Sequence, residues 1–272
     1  MSHIHIPDGV LPWWLWVPGW LLTLALLAFA SHLAVRGESR RAVPLVGAVS
    51  ALVLVSMSSE IVPIAYHINL TVIAGVLLGP WLGAVSAFVV VLVLALLGHG
   101  GVTVVGVNTL IIASEMALGW ALVRGAIRIF GSKHIRPLAG IATVLTLAIT
   151  TTMLVGVVAL AGSGATSRET GALDTETLTF GNPFSEGVVS VGLLGGHEGE
   201  TAEEHAEHAG GTLSVRRFAV VVYTLGPLGW LLEALVTAAI LGYVVRVRPS
   251  FVLGRAYAEE YKARYGDEHG RH

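Results

Sequence analysis

An all-α integral membrane fold is predicted by two properties of this chain. Hydrophobic residues make up 54% of its 272 residues and charged residues only 12%, whereas ordinary soluble domains carry about 25% charged residues. The apolar residues also gather in runs, several of which reach the roughly 20 residues that a helix needs to cross a bilayer. Because this apolar character continues through most of the chain, we expect one membrane domain of about seven transmembrane helices.

Seven apolar segments follow one another along the sequence. The third has only twelve residues, which is about 18 Å of helix, and Gly79-Pro80 separates it from the fourth. The segments are residues 13–35, 42–59, 68–79, 81–97, 102–123, 137–161 and 218–245.

Arg and Lys residues predict the orientation, because short cytoplasmic loops carry an excess of them. They cluster after the first, fifth and seventh segments, which places the N-terminus outside, the C-terminus in the cytoplasm, and an odd number of crossings between them. The same pattern puts residues 1–12, 60–67, His99 and 162–217 together on the outer side. The members of these three clusters are Arg36, Arg40, Arg41, Arg124, Arg128, Lys133, Arg136, Arg246, Arg248, Arg255, Lys262 and Arg264.

The first nine residues concentrate nitrogen donors beside an amino terminus. His3 and His5 stand close to it, and no Lys or Arg precedes Arg36 as a signal peptide would require, so we expect this terminus to be retained. Imidazole is the commonest ligand for late first-row divalent metals, and without cysteine no thiolate competes with it. Removal of Met1 would leave the amine on Ser2 and make His3 the second residue.

A terminal amine, an amide nitrogen and a nearby imidazole can share one plane, and this nitrogen set suits Ni²⁺ and Cu²⁺ and accepts Co²⁺. The sequence therefore predicts a metal site from Ser2 and His3, completed by His67 or His5. Taken alone, terminal histidines are more often ordinary solvated groups. Their predicted common side with His67 favours the metal interpretation.

Two further polar residues lie on the same predicted side or near it. His99 is in a glycine-rich loop, and Asn108 lies inside an otherwise apolar segment. A buried amide needs hydrogen-bond partners. Two interpretations stay open for Asn108: a hydrogen bond between helices, or, with His99, the orientation of a metal-bound imidazole.

The predicted outer loop at 162–217 contains an acidic, histidine-bearing tract among many Gly and Ala residues, a composition typical of mobile segments. It is either a solvated linker or a weak external metal-gathering tract. Its members are His197, Glu198, Glu200, Glu203, Glu204, His205, Glu207 and His208.

Three ordered blocks carry a resemblance to a known family. Residues 5–11, His-Ile-Pro-Asp-Gly-Val-Leu, resemble the Met-His-Ile-Pro-Asp/Glu-Gly opening of the CbiM/NikM family, the substrate-capture (S) components of energy-coupling-factor (ECF) transporters for cobalt and nickel. Residues 66–68 with 75–81 resemble its second block, and residues 96–101 with 106–108 its third.

The resemblance implies a subunit that captures Co²⁺ or Ni²⁺ at the outer face of the cell membrane, through the terminal amine, the second-position histidine and His67. It implies a transmembrane coupling (T) subunit and cytoplasmic ATPases as partners, with a small accessory membrane subunit as a further candidate. The chain itself would be no enzyme, would need no cofactor and would bind no nucleic acid. Consistently, it contains no Walker A pattern.

The predicted layout is a metal-binding core of six spans at 1–161, an external loop at 162–217, a last helix at 218–246 and a cytoplasmic tail at 247–272.

One departure from the family pattern concerns the metal ligands. The family histidine directly follows the initiator Met, whereas its counterpart here is His5, with four residues before it. In one register His3 takes the amine-histidine role after Met1 is removed, and His5 lies close by; in the other, His5 binds through its imidazole alone. We favour the first register, with His67. A membrane-embedded metalloenzyme or a metal sensor using the same histidines is the alternative function.

Overall fold

The structure of the chain is a computed structural model that shows an apolar helical bundle. It describes residues 6, 8, 11–35, 39–58, 60–61, 66–98, 100–164, 215–253 and 259. Within these ranges it describes only the backbone at 34–35, 39–42, 60–61, 66–67, 162–164, 215–218 and 221. Most of the predicted outer loop, including its acidic tract, therefore lies outside the described residues.

Helices dominate the described part of the chain. Five of them are long and apolar enough to cross a membrane, and α2 adds a shorter apolar stretch at Val43–Ser58. The predicted all-α membrane fold is thus confirmed, while the orientation and the number of crossings stay predictions. The helices are α1 (Trp13–Val35), α2 (Ser39–Ser58), α3 (Thr71–Leu96), α4 (Val105–Phe130), α5 (Ile135–Gly164), α6 (Val215–Val247) and α7 (Pro249–Leu253).

The third and fourth predicted segments form one element, α3, which is interrupted at Gly79. This residue has φ 75° and ψ 177°, a conformation that glycine adopts without the steric cost a Cβ would bring. Pro80 follows and has no N–H to continue the helical ladder. The break predicted at Gly79-Pro80 is therefore present, as a kink between two helical pieces.

Close helix approaches hold the centre of the bundle together. A Cβ at Gly75 of α3 would lie 2.1 Å from the carbonyl oxygen of Met116 in α4, so only glycine permits this packing distance. On another side of α4, a Cβ at Gly106 would lie 2.6 Å from the backbone nitrogen of Trp20 in α1. There the Thr23 hydroxyl donates a 2.7 Å hydrogen bond to the Gly106 carbonyl. Helix α4 is therefore packed tightly on both α3 and α1.

The connection between α2 and α3 contains a short hairpin that the sequence pattern does not predict. Strands β1 (Glu60–Ile61) and β2 (Tyr66–His67) pair antiparallel, with Glu60 opposite His67. After β2 the chain needs only three residues to reach the first turn of α3 at Thr71. His67 thus lies at the junction of the hairpin and the central helix.

Candidate metal-capture site

The N-terminal segment is docked against the start of α4 by one side chain. Asn108 pairs with both backbone polar groups of Ile6: the Ile6 N–H donates to Asn108 Oδ1 at 3.2 Å, and Asn108 Nδ2 donates to the Ile6 carbonyl at 3.1 Å. The backbone N–H of Gly101 also donates to this carbonyl, at 3.3 Å. Both Ile6 and Asn108 are buried. The side-chain amide of Asn108 therefore pairs with the Ile6 backbone as the backbone of an adjacent β-strand would. This pairing fixes the backbone next to His5.

Asp8 forms a second anchor for the same segment. Its carboxylate accepts hydrogen bonds from the backbone N–H groups of Val102 and Thr103, both at 2.9 Å, and from the Thr103 hydroxyl. A Cβ at Gly101 would lie 2.2 Å from the Asp8 carboxylate, so glycine is required where the loop meets the segment. The sequence pattern did not single out Asp8, although it lies in the Pro-Asp-Gly sequence of the first family block.

The chain beyond His67 is anchored to the same helix. Asn69 is buried, and its Nδ2 donates to Glu115 Oε1 at 2.5 Å, while its backbone N–H donates to Glu233 Oε1 at 3.3 Å. Glu115 is in α4 and Glu233 in α6, and both are almost completely inaccessible to solvent. Neither residue was predicted as part of the site. The available signal was a carboxylate inside an apolar span, which marks a functional candidate.

Asn108 and Glu115 are seven residues apart in α4, which is nearly two full turns, so their side chains leave the same face about 10 Å apart along the axis. One of them binds Ile6 and the other binds Asn69. A single face of α4 therefore organises the segment that follows His5 and the segment that follows His67.

The predicted ligands themselves are described only in part. Ser2, His3, His5 and His99 lie outside the described residues, and for His67 the backbone alone is described. Within the described ranges, no three His, Cys, Asp or Glu side chains lie close enough together to hold a metal ion. The ligand set therefore stays a prediction, and so does the role of Asn108 beside a metal-bound imidazole.

A family model for the cobalt uptake substrate-specific transmembrane region, CbiM, matches residues 5–251. The chain belongs to this family. The resemblance carried by the three sequence blocks is therefore confirmed. The family is described as a transmembrane region for cobalt uptake, and the five candidate membrane helices make this chain a multi-pass membrane protein. Both findings favour the transport interpretation over the metalloenzyme and sensor alternatives.

Two individual proteins illustrate the CbiM relationship. The cobalt transport protein CbiM of Sorangium cellulosum (strain So ce56) is 37% identical over 113 residues, which is 39% of this chain and 50% of that protein. The chain thus spans about half the length of this curated relative. A crystal structure of a transition metal transporter matches with a TM-score of 0.64 at 16% identity, covering 96% of this chain and 98% of the other. This second likeness concerns the fold alone.

Proposed function

We propose that this chain is the substrate-specific membrane subunit of an ECF importer of the ABC type. It captures Co²⁺ or Ni²⁺ at the outer face for ATP-driven uptake by partner subunits. The observation that carries the proposal is the common anchoring face of α4, on which Asn108 holds Ile6 and Glu115 holds Asn69. Family membership supplies the metal-transport context.

The anchoring geometry limits where the N-terminal nitrogens can go. His5 is adjacent to the fixed backbone of Ile6, and His3 is three residues from it, so its Cα stays within about 10 Å even in a fully extended chain. His67 is two residues from the fixed Asn69. Both histidine-bearing segments are therefore tied by short links to one helix face, as a shared metal site requires.

The proposed ligand set is all nitrogen. After removal of Met1, the amine of Ser2 with the amide and imidazole of His3 supplies three donors, and His67 supplies the fourth; His5 lies close by. This planar set accepts both Ni²⁺ and Co²⁺. We propose that Asn108 contributes by fixing the backbone beside His5, and that His99 hydrogen-bonds a metal-bound imidazole.

The proposed partners follow from the division of labour in such importers. A transmembrane coupling subunit and cytoplasmic ATPases supply the energy, a small accessory membrane subunit is a further candidate, and this chain hydrolyses nothing. The predicted arrangement places the metal site outside and the Arg-rich connections on the ATPase side. The external loop at 162–217 remains either a linker or a metal-gathering tract.

The decisive experiment is metal titration of the purified chain. We expect saturable binding of Ni²⁺ or Co²⁺ that is lost in His67→Ala and after chemical blocking of the terminal amine. His134→Ala is the matched control, because His134 lies in the exposed turn after α4, at the opposite end of that helix from Asn108. Unchanged binding after both the His67 substitution and amine blocking would contradict the proposal.

A further inference from the structure

Asn69 is the centre of a buried polar network. Besides its bonds to the two glutamates, its Oδ1 accepts a 3.0 Å hydrogen bond from the backbone N–H of Thr71. Its side-chain amide and its backbone N–H are therefore all engaged, and they are engaged by different elements. Asn69 is thereby fixed in both position and orientation at the point where β2 leads into α3.

Glu115 extends this network to two further helices. The hydroxyl of Thr71 in α3 donates to Oε1, the same oxygen that binds Asn69, and the hydroxyl of Thr150 in α5 donates to Oε2 at 3.2 Å. Together with Glu233 of α6, the network joins α3, α4, α5 and α6 around one residue. Ile68, the residue between His67 and Asn69, packs against the apolar core.

Packing alone does not explain two carboxylates at this place. Buried carboxylates are unfavourable inside a membrane protein unless they are hydrogen-bonded or paired, and apolar side chains of similar volume usually join helices at least as well. Unlike apolar groups, the carboxylates accept directional hydrogen bonds from the side-chain amide and the backbone N–H of Asn69.

We infer that Glu115 and Glu233 are positioning residues for metal capture, which hold Asn69 and thereby fix the backbone of His67. The inference rests on the proposed function, in which His67 is a metal ligand. Metal–nitrogen bonds tolerate displacements of only about 0.2 Å, and Ile68 is the only residue between Asn69 and His67. Rotation of Asn69 away from the two glutamates would therefore move the imidazole out of the ligand plane.

The test compares Glu115→Met with Glu115→Gln in the purified full-length chain, titrated with Ni²⁺. Methionine keeps the volume but removes both acceptors, so we expect Kd to rise about 10- to 100-fold, as is usual when a group that orients a metal ligand is lost. Glutamine keeps one oxygen for Asn69 and Thr71 and offers its NH₂ to the Thr150 hydroxyl, so it should restore most of the affinity. The Ni²⁺ absorption bands should shift in Glu115→Met and return in Glu115→Gln.

Thr146→Val is the matched control. Thr146 is fully buried in α5, and among the described residues its hydroxyl donates only to the Ala142 carbonyl of its own helix, at 2.8 Å. We expect this variant to change thermal stability without changing the Ni²⁺ Kd or spectrum. An equal loss of affinity in Thr146→Val, or an unchanged Kd and spectrum in folded Glu115→Met, would overturn the inference.

Two further variants make the outcome decisive. If Glu115→Met does not fold, Thr71→Val takes its place in the test. This variant removes one donor to Glu115 but keeps the backbone N–H of Thr71 for Asn69. A smaller rise in the Ni²⁺ Kd supports the inference, and an unchanged Kd overturns it. His67→Ala in the same series separates the two proposals. If His67→Ala loses Ni²⁺ binding but Glu115→Met binds normally, the positioning role is rejected and the proposed function stands. If His67→Ala binds Ni²⁺ normally, the assignment of His67 as a metal ligand is itself rejected.

Discussion

The carboxylate of Asp8 lies 2.9 Å from the backbone nitrogen of Thr103 and also accepts the Thr103 hydroxyl, although the two residues are 95 positions apart. With the bond from Val102, three donors of the loop before α4 converge on one side chain. Hydrogen bonds to a charged group contribute about 1.5–3 kcal/mol each when shielded from water. Asp8 is exposed, so its bonds lie at the weak end and serve to fix the segment in place.

Asp8→Ala should release the N-terminal segment and weaken metal capture. All three acceptor interactions disappear, so we expect the Ni²⁺ Kd to rise about tenfold, equivalent to about 1.4 kcal/mol. Asp8→Asn keeps one carbonyl oxygen for Thr103 and should lose less. Calorimetric titration measures both values, and equal affinities for Asp8→Ala and wild type would show that this anchor is dispensable.

Asn108→Leu should be more severe, because Ile6 is buried. The substitution removes the partner of the Ile6 N–H and one partner of its carbonyl, and each buried polar group left unsatisfied costs about 1–3 kcal/mol. We expect weaker Ni²⁺ binding and a lower thermal unfolding midpoint.

Thr109→Val is the control for Asn108→Leu. Thr109 is the adjacent residue, equally buried, and among the described residues its hydroxyl has no hydrogen-bond partner. Its replacement should leave both readouts close to wild type. If the two variants behaved alike, the effect at position 108 would reflect general packing in this turn of α4.

The choice of register at the N-terminus is tested by His3→Ala and His5→Ala, together with the mass of the intact protein. If Met1 is removed and the amine of Ser2 binds with His3, then His3→Ala should abolish Ni²⁺ binding and His5→Ala should weaken it moderately. The reverse order would establish the alternative register, in which His5 coordinates through its imidazole and the amine contributes little.

Gly75→Ala tests the contact between α3 and α4. The new methyl group would collide with the Met116 carbonyl, which belongs to a helix backbone and cannot turn away. Overpacking of this kind costs about 1–3 kcal/mol and sometimes more, so we expect a clear drop in the thermal unfolding midpoint. Gly125→Ala is the control, since nothing lies within 4 Å of its added Cβ; a comparable drop there would contradict the close-contact explanation.

The sequence predicts the helices well because apolar length and flanking residues are local signals. Helix α1 runs from Trp13 to Val35 as expected, and the break at Gly79 falls where the Gly-Pro pair indicates it. The strands around Glu60 and His67 are two residues each, too short to produce a recognisable alternation. Helix α7 was likewise not predicted, because its five residues lack the length of a helical period pattern.

The site was predictable at the level of residue types but not of contacts. Asn108 stands out as a buried amide in an apolar span, yet its partner Ile6 lies 102 positions away, and only tertiary packing decides which backbone it meets. Glu115 and Glu233 carried the same kind of signal. Their meeting at Asn69 depends on the relative placement of α3, α4 and α6, which no local pattern encodes.

The hydrogen bonds of Ile6 and Asp8 run to the Asn108 side chain and to the loop at 101–103. In the described part of the chain, none of these bonds belongs to the ladder of a helix. The bonds of Ile6 and Asp8 can therefore break and re-form while every helix keeps its own backbone bonds. Local opening of this kind has a free-energy cost separate from that of global unfolding. The contacts at the start of α4 can therefore open without unfolding of the helical bundle.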